Sequence, residues 1–574
     1  MASEVVKIVR IDLLTESSKE EVLSGERVVE GGRFLTSRIV NEEVPPGCDP
    51  LGPFNKLIFA GGAFSGTTLT STGRFSAGGK SPLTGGIKES NAGGTFADCL
   101  ATLGLRALVL EGQPDDPDQL RIILVNSDGI AFLPAEEYRG VGINELFKVL
   151  RDRFGRDASI AAIGPGGERR LRAAGICCSE PEDMLGVRVA ARGGLGAVMG
   201  SKGIKAVVVQ GDSGHRRRPV RAEAFSAHLR EFAELLRNAP STGKSMPNYG
   251  TTPMVQFMNT MGGLPTNNFL AGRFEDAAGI GAERFTELLD KRGGAGRHGR
   301  RCMRICQVRC SNVFPGPDGE HVVSPLEYET LAMMGSNLGI GDLDTVARLN
   351  RICNDQGLDT IDVGVAIGVA MDCGVLPFGD EKAALGLMDE VIRGTPLGRV
   401  IGSGAAVTGA VLGAKRVPVV KNQAVSAYDP RVIKGTGVTY ATSPQGGDHG
   451  AGLTVFMPID HGKPEGQAEA SRKQQITRAA LDAVGICGFC GSALAGRYNL
   501  VTSLLEDYYD LELGEGYFDE LGRRVIRMEK SFNTKAGFGP AHDRLPEFFA
   551  SEGLAPTGQV FDVSDEDLDR TLEF

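Results

Sequence analysis

Long apolar runs are missing from this chain. None reaches the roughly 18–20 residues that cross a bilayer, so no membrane span is expected. The opening MASEVVKIVRIDLLTES has no basic region followed by an apolar run, so no signal peptide is expected. Excess positive charge is missing too. A net charge of −10 argues against nucleic acid as the main partner and suits a soluble enzyme that meets a small molecule or another protein. Neither standard phosphate fingerprint is present: there is no GxxxxGK[ST], and no GxGxxG at a strand-to-helix turn. Eleven Cys without an export signal point to a reducing, cytoplasmic setting, where thiols serve as metal ligands or small buried hydrophobes.

Glycine, by contrast, is abundant. The chain has 80 Gly in 574 residues and no legible repeat, which implies many tight turns and ligand-contacting loops. Ten of them fall in Gly61–Gly94, GGAFSGTTLTSTGRFSAGGKSPLTGGIKESNAGG, beside many Ser and Thr. Such a stretch is expected to stay out of a packed core. It can bring backbone N–H groups and hydroxyls up to a polyanionic ligand, which points to a large phosphorylated cofactor. Arg74 and Lys80 are the cations of its first two thirds.

The length predicts about three domains. Residues 1–212 read as strand-rich: KIVRIDL, NKLIFAG, RALVLEG, LRIILVN and IKAVVVQG are β-branched runs ending near Gly or Asn, with few helical periods between them. Gly211–Arg221, with its Arg216–Arg218 run, reads as a solvated linker. From Ala222 the apolar spacing is helical, with a second change near Ala414–Val420, giving helical domains at 213–415 and 416–574. The fold class expected is α+β.

Cys302, Cys306 and Cys310 in GRRCMRICQVRC are the strongest local metal signal. Iron–sulfur clusters usually take four thiolates, often three from one run and one from far away, and the flanking Arg residues would offset their charge. On a straight helix these positions share a face, which keeps zinc open, although zinc prefers CxxC pairs. Three core thiols is the plain alternative. Cys487 and Cys490 are candidates for the fourth ligand. Most of Cys99, Cys177, Cys178, Cys353 and Cys373 read as buried hydrophobes. A short theme recurs at Asn354–Asp359 (NDQGLD) and Asp482–Cys487 (DAVGIC), each after a helical pattern. Gly as a helix C-cap with polar ends facing a ligand would suit a ligand of two similar halves.

These segments together resemble the aldehyde:ferredoxin oxidoreductase family, tungsten enzymes with two pyranopterin dithiolenes. The likeness runs over nearly the whole chain. It includes EEVPPGCDPLGPFNKLIFAGG, TSTGRFSAGGKSPLTGG, SNAGG, RGGLGAVMGSKGIKAVVV, TPMVQFMNTMGGLPTNNF, the Cys run, LEYETLAMMGSNLGIGDLD, NDQGLDTID, YATSPQGGDHGAG and DAVGICGF. The resemblance implies an N-terminal domain of two β-sheets forming a cofactor base, followed by two mainly helical domains. It implies a tungsten (or molybdenum) bis-pyranopterin, a [4Fe–4S] cluster and Mg2+. Arg74 would sit between cofactor and cluster, with Gly93 beside it in SNAGG. Asn91 would help bind magnesium, and Ala191 and Arg192 would form the second phosphate and magnesium loop. Asn354, Asp359, Asp482 and Ile486 would hold the pterins. Cys302, Cys306, Cys310 and Cys487 would ligate the cluster, and His449 and Glu329 would line the substrate side. Four departures stand out: CxxxCxxxC in place of CxxCxxxC, Asn354 where Asp is usual, the loop SPQGGDH, and no ExxH anywhere.

The activity implied is R–CHO + H2O to R–COOH, with electrons leaving through the cluster to ferredoxin or an iron–sulfur subunit. The protein would be a homodimer or part of a hetero-oligomer. His449 is the candidate acid/base or hydrogen-bond donor at the carbonyl, since imidazole exchanges protons near neutrality. Glu329 is the candidate acceptor of a proton from water. His449 could instead be a turn residue and Glu329 a first-turn residue favoured by the helix dipole, with Glu327 competing. The runner-up functions are a subunit reducing an activated acid or aromatic thioester, an iron–sulfur electron carrier, and, on the weak GGLGAVMG match at Gly193–Gly200, a nucleotide-binding protein.

Overall fold

The computed structural model describes residues 6–181, 187–211 and 218–574, so most of the expected linker lies outside the described residues. The N-terminal part holds two six-stranded sheets. In the first, β1 (Val6–Asp12), β2 (Ser17–Leu23), β3 (Leu57–Gly61), β4 (Phe75–Lys80), β5 (Ile87–Ala92) and β6 (Leu105–Glu111) lie in the order β2-β1-β6-β3-β4-β5. In the second, β7 (Arg121–Asn126), β8 (Gly129–Pro134), β9 (Ser159–Ala162), β10 (Ile176–Ser179), β11 (Val187–Ala190) and β12 (Ile204–Val209) lie in the order β11-β10-β9-β12-β7-β8. Read from the opposite edge, the second order is the first with every number raised by six. The parallel pairs also correspond, β1 with β6 and β7 with β12, and the other pairs in both sheets are antiparallel.

The helices repeat as well. A 12-residue helix precedes β3 (Gly32–Glu43) and β9 (Ile143–Phe154), and a 7-residue helix precedes β6 (Phe96–Thr102) and β12 (Leu195–Ser201). One topology therefore occurs twice. No sequence repeat reveals it, because topology needs only matching apolar alternation and turns, which many sequences supply. The two sheets pack face to face over a shared core that includes Ile11, Phe59 and Leu108 from the first and Ile123, Ala161 and Val207 from the second. The Phe59, Phe75 and Phe96 rings meet there at centroid distances of 5.4, 5.8 and 5.3 Å.

Two expectations about this region are corrected. Gly61–Gly94 is buried along nearly its whole length and supplies β4 and β5. Its apolar side chains, among them Phe64, Leu69, Phe75, Ala77 and Ile87, are buried in the core, and its glycines let neighbouring backbone lie close. The two 12-residue helices also exceed the few helical periods expected.

Beyond the sheets the chain is mainly helical, which makes the architecture α+β. Thr360–Asp372 (TIDVGVAIGVAMD) is apolar around most of its circumference and is the centre of one core, packed against helices including Ala405–Leu412, Tyr328–Met333 and Pro396–Gly402. In a second core, Gln467–Val484 and Tyr517–Lys535 pack on each other and on Gly32–Glu43, over the outer face of the first sheet. Among the described residues no helix is long and apolar enough to cross a membrane.

Candidate cofactor and active site

Each sheet receives one of the two recurring motifs. The helix Gln467–Val484 stops at Gly485 with φ 78°, and Leu343–Gln356 stops at Gly357 with φ 69°. Both are left-handed C-caps that glycine adopts without a Cβ clash, so the chain turns sharply and the motif's polar ends stay near the helix end. The second motif docks on the first sheet. Phe64 N–H donates to Val484 O at 3.1 Å, Cys487 N–H donates to Ser71 O at 2.9 Å, and a Cβ on Gly62 would overlap the Gly485 backbone. The first motif docks on the second sheet, with Gly175 N–H donating to Gly357 O at 2.9 Å and Asp359 N–H to Ala173 O at 2.9 Å. Gly62 follows β3 and Gly164 follows β9, and a Cβ at Gly164 would overlap Gln356. The duplicated glycine positions thus admit the duplicated motifs.

The acidic ends of both motifs are buried against arginine. Arg192 Nε lies 3.1 Å from Asp359 Oδ2, and its NH2 lies 3.6 Å from Asp362 Oδ2. Asp359 also caps the following helix by accepting from Ile361 N–H at 3.0 Å. Burial pushes Asp362 up to about 7, Arg192 opposing and the neighbouring Asp359 adding to the rise. Asp482 lies 3.1 Å from Arg478 and 3.7 Å from Arg33, whose guanidinium is otherwise held by Glu529 at 2.8 Å. Asn354 and Ile486 are buried at the same two turns.

Between the motifs, the ends of β5 and β11 meet. These are equivalent strands of the two copies, and they carry Asn91 and, just beyond β11, Ala191 and Arg192. Ser90 Oγ donates to Arg192 O at 2.9 Å, closing the junction. Arg74 Nε donates to Asn91 Oδ1, and Asn91 Nδ2 donates to Glu89 Oε1 at 3.1 Å and Ser76 Oγ at 3.2 Å. Glu89 is buried. Burial, with Asp482 nearby, pushes its carboxyl up to about 7 against the pull of Arg33.

Residues 301–310 form an irregular loop between the strands Arg297–Arg300 and Ser311–Pro315, so the shared helical face considered for zinc does not exist. Cys302, Cys306, Cys310 and Cys487 are 5, 4, 6 and 5% exposed and belong to one core. Ser71 joins their two segments: its N–H donates to Ile305 O at 2.6 Å and its O accepts from Cys487 N–H. A Cβ on Gly93 would stand 3.1 Å from Cys302 Sγ. Contact with Cys490, then Arg74 and Arg478, lowers the Cys487 thiol to about 6 despite burial. Contact with Cys306, then Arg188 and Arg74, lowers Cys302 as well. Contact with Cys302 and burial push Cys306 well above the usual thiol range, and burial with Glu327 does the same to Cys310, so thiolate, the ligating form, is favoured at Cys302 and Cys487. Among the described residues no group of three His, Cys, Asp or Glu side chains is disposed to hold a single metal ion. Of the other thiols, Cys99, Cys177, Cys178 and Cys353 are buried, whereas Cys373 is exposed. It follows the last turn of Thr360–Asp372, where the helix leaves the core.

His449 and Glu329 are brought together from distant segments. His449 Nε2 lies 3.3 Å from Glu329 Oε1, and Nδ1 lies 3.0 Å from Ser426 Oγ. The same Glu329 oxygen accepts from Tyr428 OH at 3.3 Å, and Arg192 NH1 donates to Ser426 Oγ at 2.9 Å. His449 is therefore linked through one hydroxyl to the arginine that meets Asp359. Its neighbour Asp448 is gripped by fully buried Lys88 at 2.6 Å. Against the penalty of burial, Lys88 and then Arg192 hold Asp448 well below the usual carboxylate range. Glu327 is turned elsewhere, accepting from Arg188 at 2.8 Å. Tyr428, Ser426 and Lys88 had no motif to mark them. The doublet Ser426–Tyr428 lies in an irregular stretch that acquires meaning only beside His449. The GGLGAVMG glycines serve packing: Cβ atoms on Gly196 and Gly200 would overlap the backbone at Gly175 and Gly167.

The family model for the aldehyde ferredoxin oxidoreductase N-terminal domain matches residues 8–211, and that for domains 2 and 3 matches residues 227–573. The chain belongs to the aldehyde ferredoxin oxidoreductase family. Among its relatives, the tungsten-containing aldehyde ferredoxin oxidoreductase of Pyrococcus horikoshii is 31% identical, over 96% of this chain and 92% of that protein. The aliphatic sulfonate oxidoreductase WOR-like subunit of Pyrococcus furiosus is 26% identical, over 91% and 85%. A solved chain of the BamBC active-site complex of benzoyl coenzyme A reductase, in complex with 1,5-dienoyl-CoA, shares the fold. Its TM-score is 0.78 at 20% identity, covering 94% of this chain and 90% of that one. The two models of the aldehyde ferredoxin oxidoreductase family divide the chain where the sheets give way to the helices.

Proposed function

We propose that the chain is a tungsten (or molybdenum) bis-pyranopterin oxidoreductase that oxidises aldehydes to carboxylic acids and passes the electrons to ferredoxin through a [4Fe–4S] cluster. The observation that carries this reading is the pairing of two equivalent sheets with two equivalent glycine-capped acidic motifs, which suits a ligand of two similar halves. The residues fit such a group. Gln356 Oε1 is buried with no hydrogen-bond partner, and Asp359 Oδ2 and Asp482 Oδ1 meet arginine as ion pairs without an aligned hydrogen bond, which leaves acceptor capacity for a polar ligand. Asn354, Asp359, Asp482 and Ile486 would hold the pterins. Asn91, Ala191 and Arg192 would meet the phosphates and Mg2+, and Arg74 and Gly93 would separate them from the cluster at Cys302, Cys306, Cys310 and Cys487.

When bound, the metal–pterin group supplies the two-electron acceptor for R–CHO + H2O → R–COOH + 2 H+ + 2 e−. The chain's own residues handle protons and position. Ser426, fixed by Arg192, can donate to His449 Nδ1, which leaves the ring proton on Nε2. That proton points at Glu329 or, with substrate present, at a carbonyl oxygen. Glu329, held by Tyr428 OH, then accepts a proton from the attacking water. Lys88 and Asp448 keep the loop in place.

Anaerobic purification followed by assay with a range of aldehydes and a viologen acceptor tests this reading. Aldehyde-dependent dye reduction supports it. Reduction of an aromatic thioester without aldehyde oxidation moves the assignment to the thioester class.

A further inference from the structure

The loop bearing Cys302, Cys306 and Cys310 is the most one-sidedly charged stretch of an acidic chain. No Asp or Glu occurs between Asp290 and Asp318, while Arg297, Arg300, Arg301, Arg304 and Arg309 all do, in a protein of net charge −10. The arginines divide by position. Arg300 is buried against Glu180 at 2.9 Å. Arg301 and Arg309 are exposed, and Arg304 is half-buried. Each of these three stands one or two residues from a thiol, so cations at the surface alternate with sulfurs just beneath it. Arg309 Nε donates to the Gly299 carbonyl at 2.9 Å, and among the described residues no carboxylate lies within ion-pair reach of Arg301, Arg304 or Arg309.

The flank extends the face. Gln307 Nε2 donates to Ala233 O at 2.9 Å, which ties the loop to the helix Ala222–Asn238. The turn Ser241–Ser245 reaches the segment of the fourth thiol, Ser241 Oγ lying 3.3 Å from Ser492 Oγ. Arg237 and Lys244 are exposed there, and so is the acidic Glu234. Nearby Glu231 is held by Arg497.

We propose that this arginine face, over the four thiols, docks an acidic one-electron iron–sulfur carrier protein and is the exit for electrons. The inference rests on reading Cys302, Cys306, Cys310 and Cys487 as a cluster site. With a ferredoxin the balance is R–CHO + H2O + 2 Fd(ox) → R–COOH + 2 Fd(red) + 2 H+, one electron per docking event. Opposite charge steers the encounter and orients the carrier over the loop that bears three of the four thiols. Such attraction is screened by salt, so docking weakens as ionic strength rises.

The test uses the holoenzyme, a fluorescently labelled low-potential ferredoxin of net negative charge, and fluorescence anisotropy at low and high salt. The double variant Arg301→Glu/Arg304→Glu should weaken binding at about 50 mM NaCl by at least about tenfold and flatten the salt dependence. Affinities are compared at matched iron content, because reversing arginines beside Cys302 and Cys306 also changes the charge around the thiols, and ferredoxin affinity should fall further than the viologen-linked rate per iron. Arg304→Lys should bind as the parent does, and Arg304→Glu alone serves if the double variant fails to fold. Unchanged ferredoxin affinity in the reversed variants overturns the proposal. So does tighter binding of a short DNA duplex lost in the same variants, which would mark a nucleic-acid face. Absence of aldehyde oxidation in the parent would instead count against the function reading, and the anisotropy result would still stand.

Discussion

At the residue scale, the imidazole of His449 is held at both nitrogens, by Ser426 at 3.0 Å and Glu329 at 3.3 Å. A turn residue with one structural hydrogen bond would not be set against a carboxylate in this way. His449→Ala and Glu329→Gln should each lower kcat by about 10²–10⁴-fold with metal content unchanged. Steady-state kinetics with matched metal analysis checks this, and an unaltered kcat in either variant would remove that residue from the chemistry. Glu89 gives a pH prediction. Its folded carboxyl, pushed up to about 7 by burial and Asp482, stands above an ordinary carboxylate near about 4.3. The folded state therefore holds an extra proton between those values. Stability contributed by this group is complete below about pH 4.3 and is lost as pH rises to about 7, at up to roughly 1.4 kcal/mol per pH unit. Glu89→Gln should remove that loss, which thermal unfolding at pH 5 and pH 7 reads directly. Equal slopes for parent and variant would contradict it. Cys302, Cys306 and Cys310 stand out in the sequence because their type and spacing suit metal ligation, whereas Cys487, His449 and Glu329 are singled out by the family resemblance. Neither marks Tyr428, Ser426 or Lys88, because their roles come from neighbours about 20 to 360 residues away.

At the scale of elements, the glycines do different work at different places. Gly62 lies where the second motif crosses the first sheet, and a Cβ would overlap the Gly485 backbone. Gly386 sits exposed in the middle of Glu381–Arg393, and a Cβ added there would meet nothing within 4 Å. Gly62→Ala should therefore undo the docking and destabilise by several kcal/mol, of order 3 or more. Gly386→Ala should stabilise by about 0.4–1 kcal/mol. Chemical denaturation of both variants separates these outcomes, and a neutral Gly62→Ala would mean the motif does not need this close approach. Strand runs such as LIFAG and IKAVVV could be read from their apolar residues. The burial of Gly61–Gly94 could not, because a glycine's value lies in what it lets approach, and the approaching helix is about 400 residues further on. The Cys run fails to be a helix for a related reason. Its ends belong to the strands Arg297–Arg300 and Ser311–Pro315, and sheet pairing outweighs local spacing.

At the scale of the whole molecule, the chain is a doubled base with a helical cover. The duplication is invisible in sequence yet it explains features that sequence left scattered: two glycine-capped motifs, two buried aspartates met by arginine, and the facing ends of β5 and β11. The acidic overall charge and the arginine face over the thiols also belong to this scale, since a docking surface is defined by contrast with the rest of the protein. The α+β class and the order of sheet-rich then helical segments were legible from the change of apolar period near Ala222. The shared topology was not, because only strand order and direction reveal it.

The central claim is that two equivalent halves of the site hold the two halves of one cofactor. Its most direct test is the composition of protein purified without oxygen from cells supplied with tungsten and molybdenum. The account predicts about two pyranopterins, about one tungsten or molybdenum, about one magnesium and about four iron per chain. Iron without tungsten, molybdenum or pterin would contradict it and leave an iron–sulfur electron carrier.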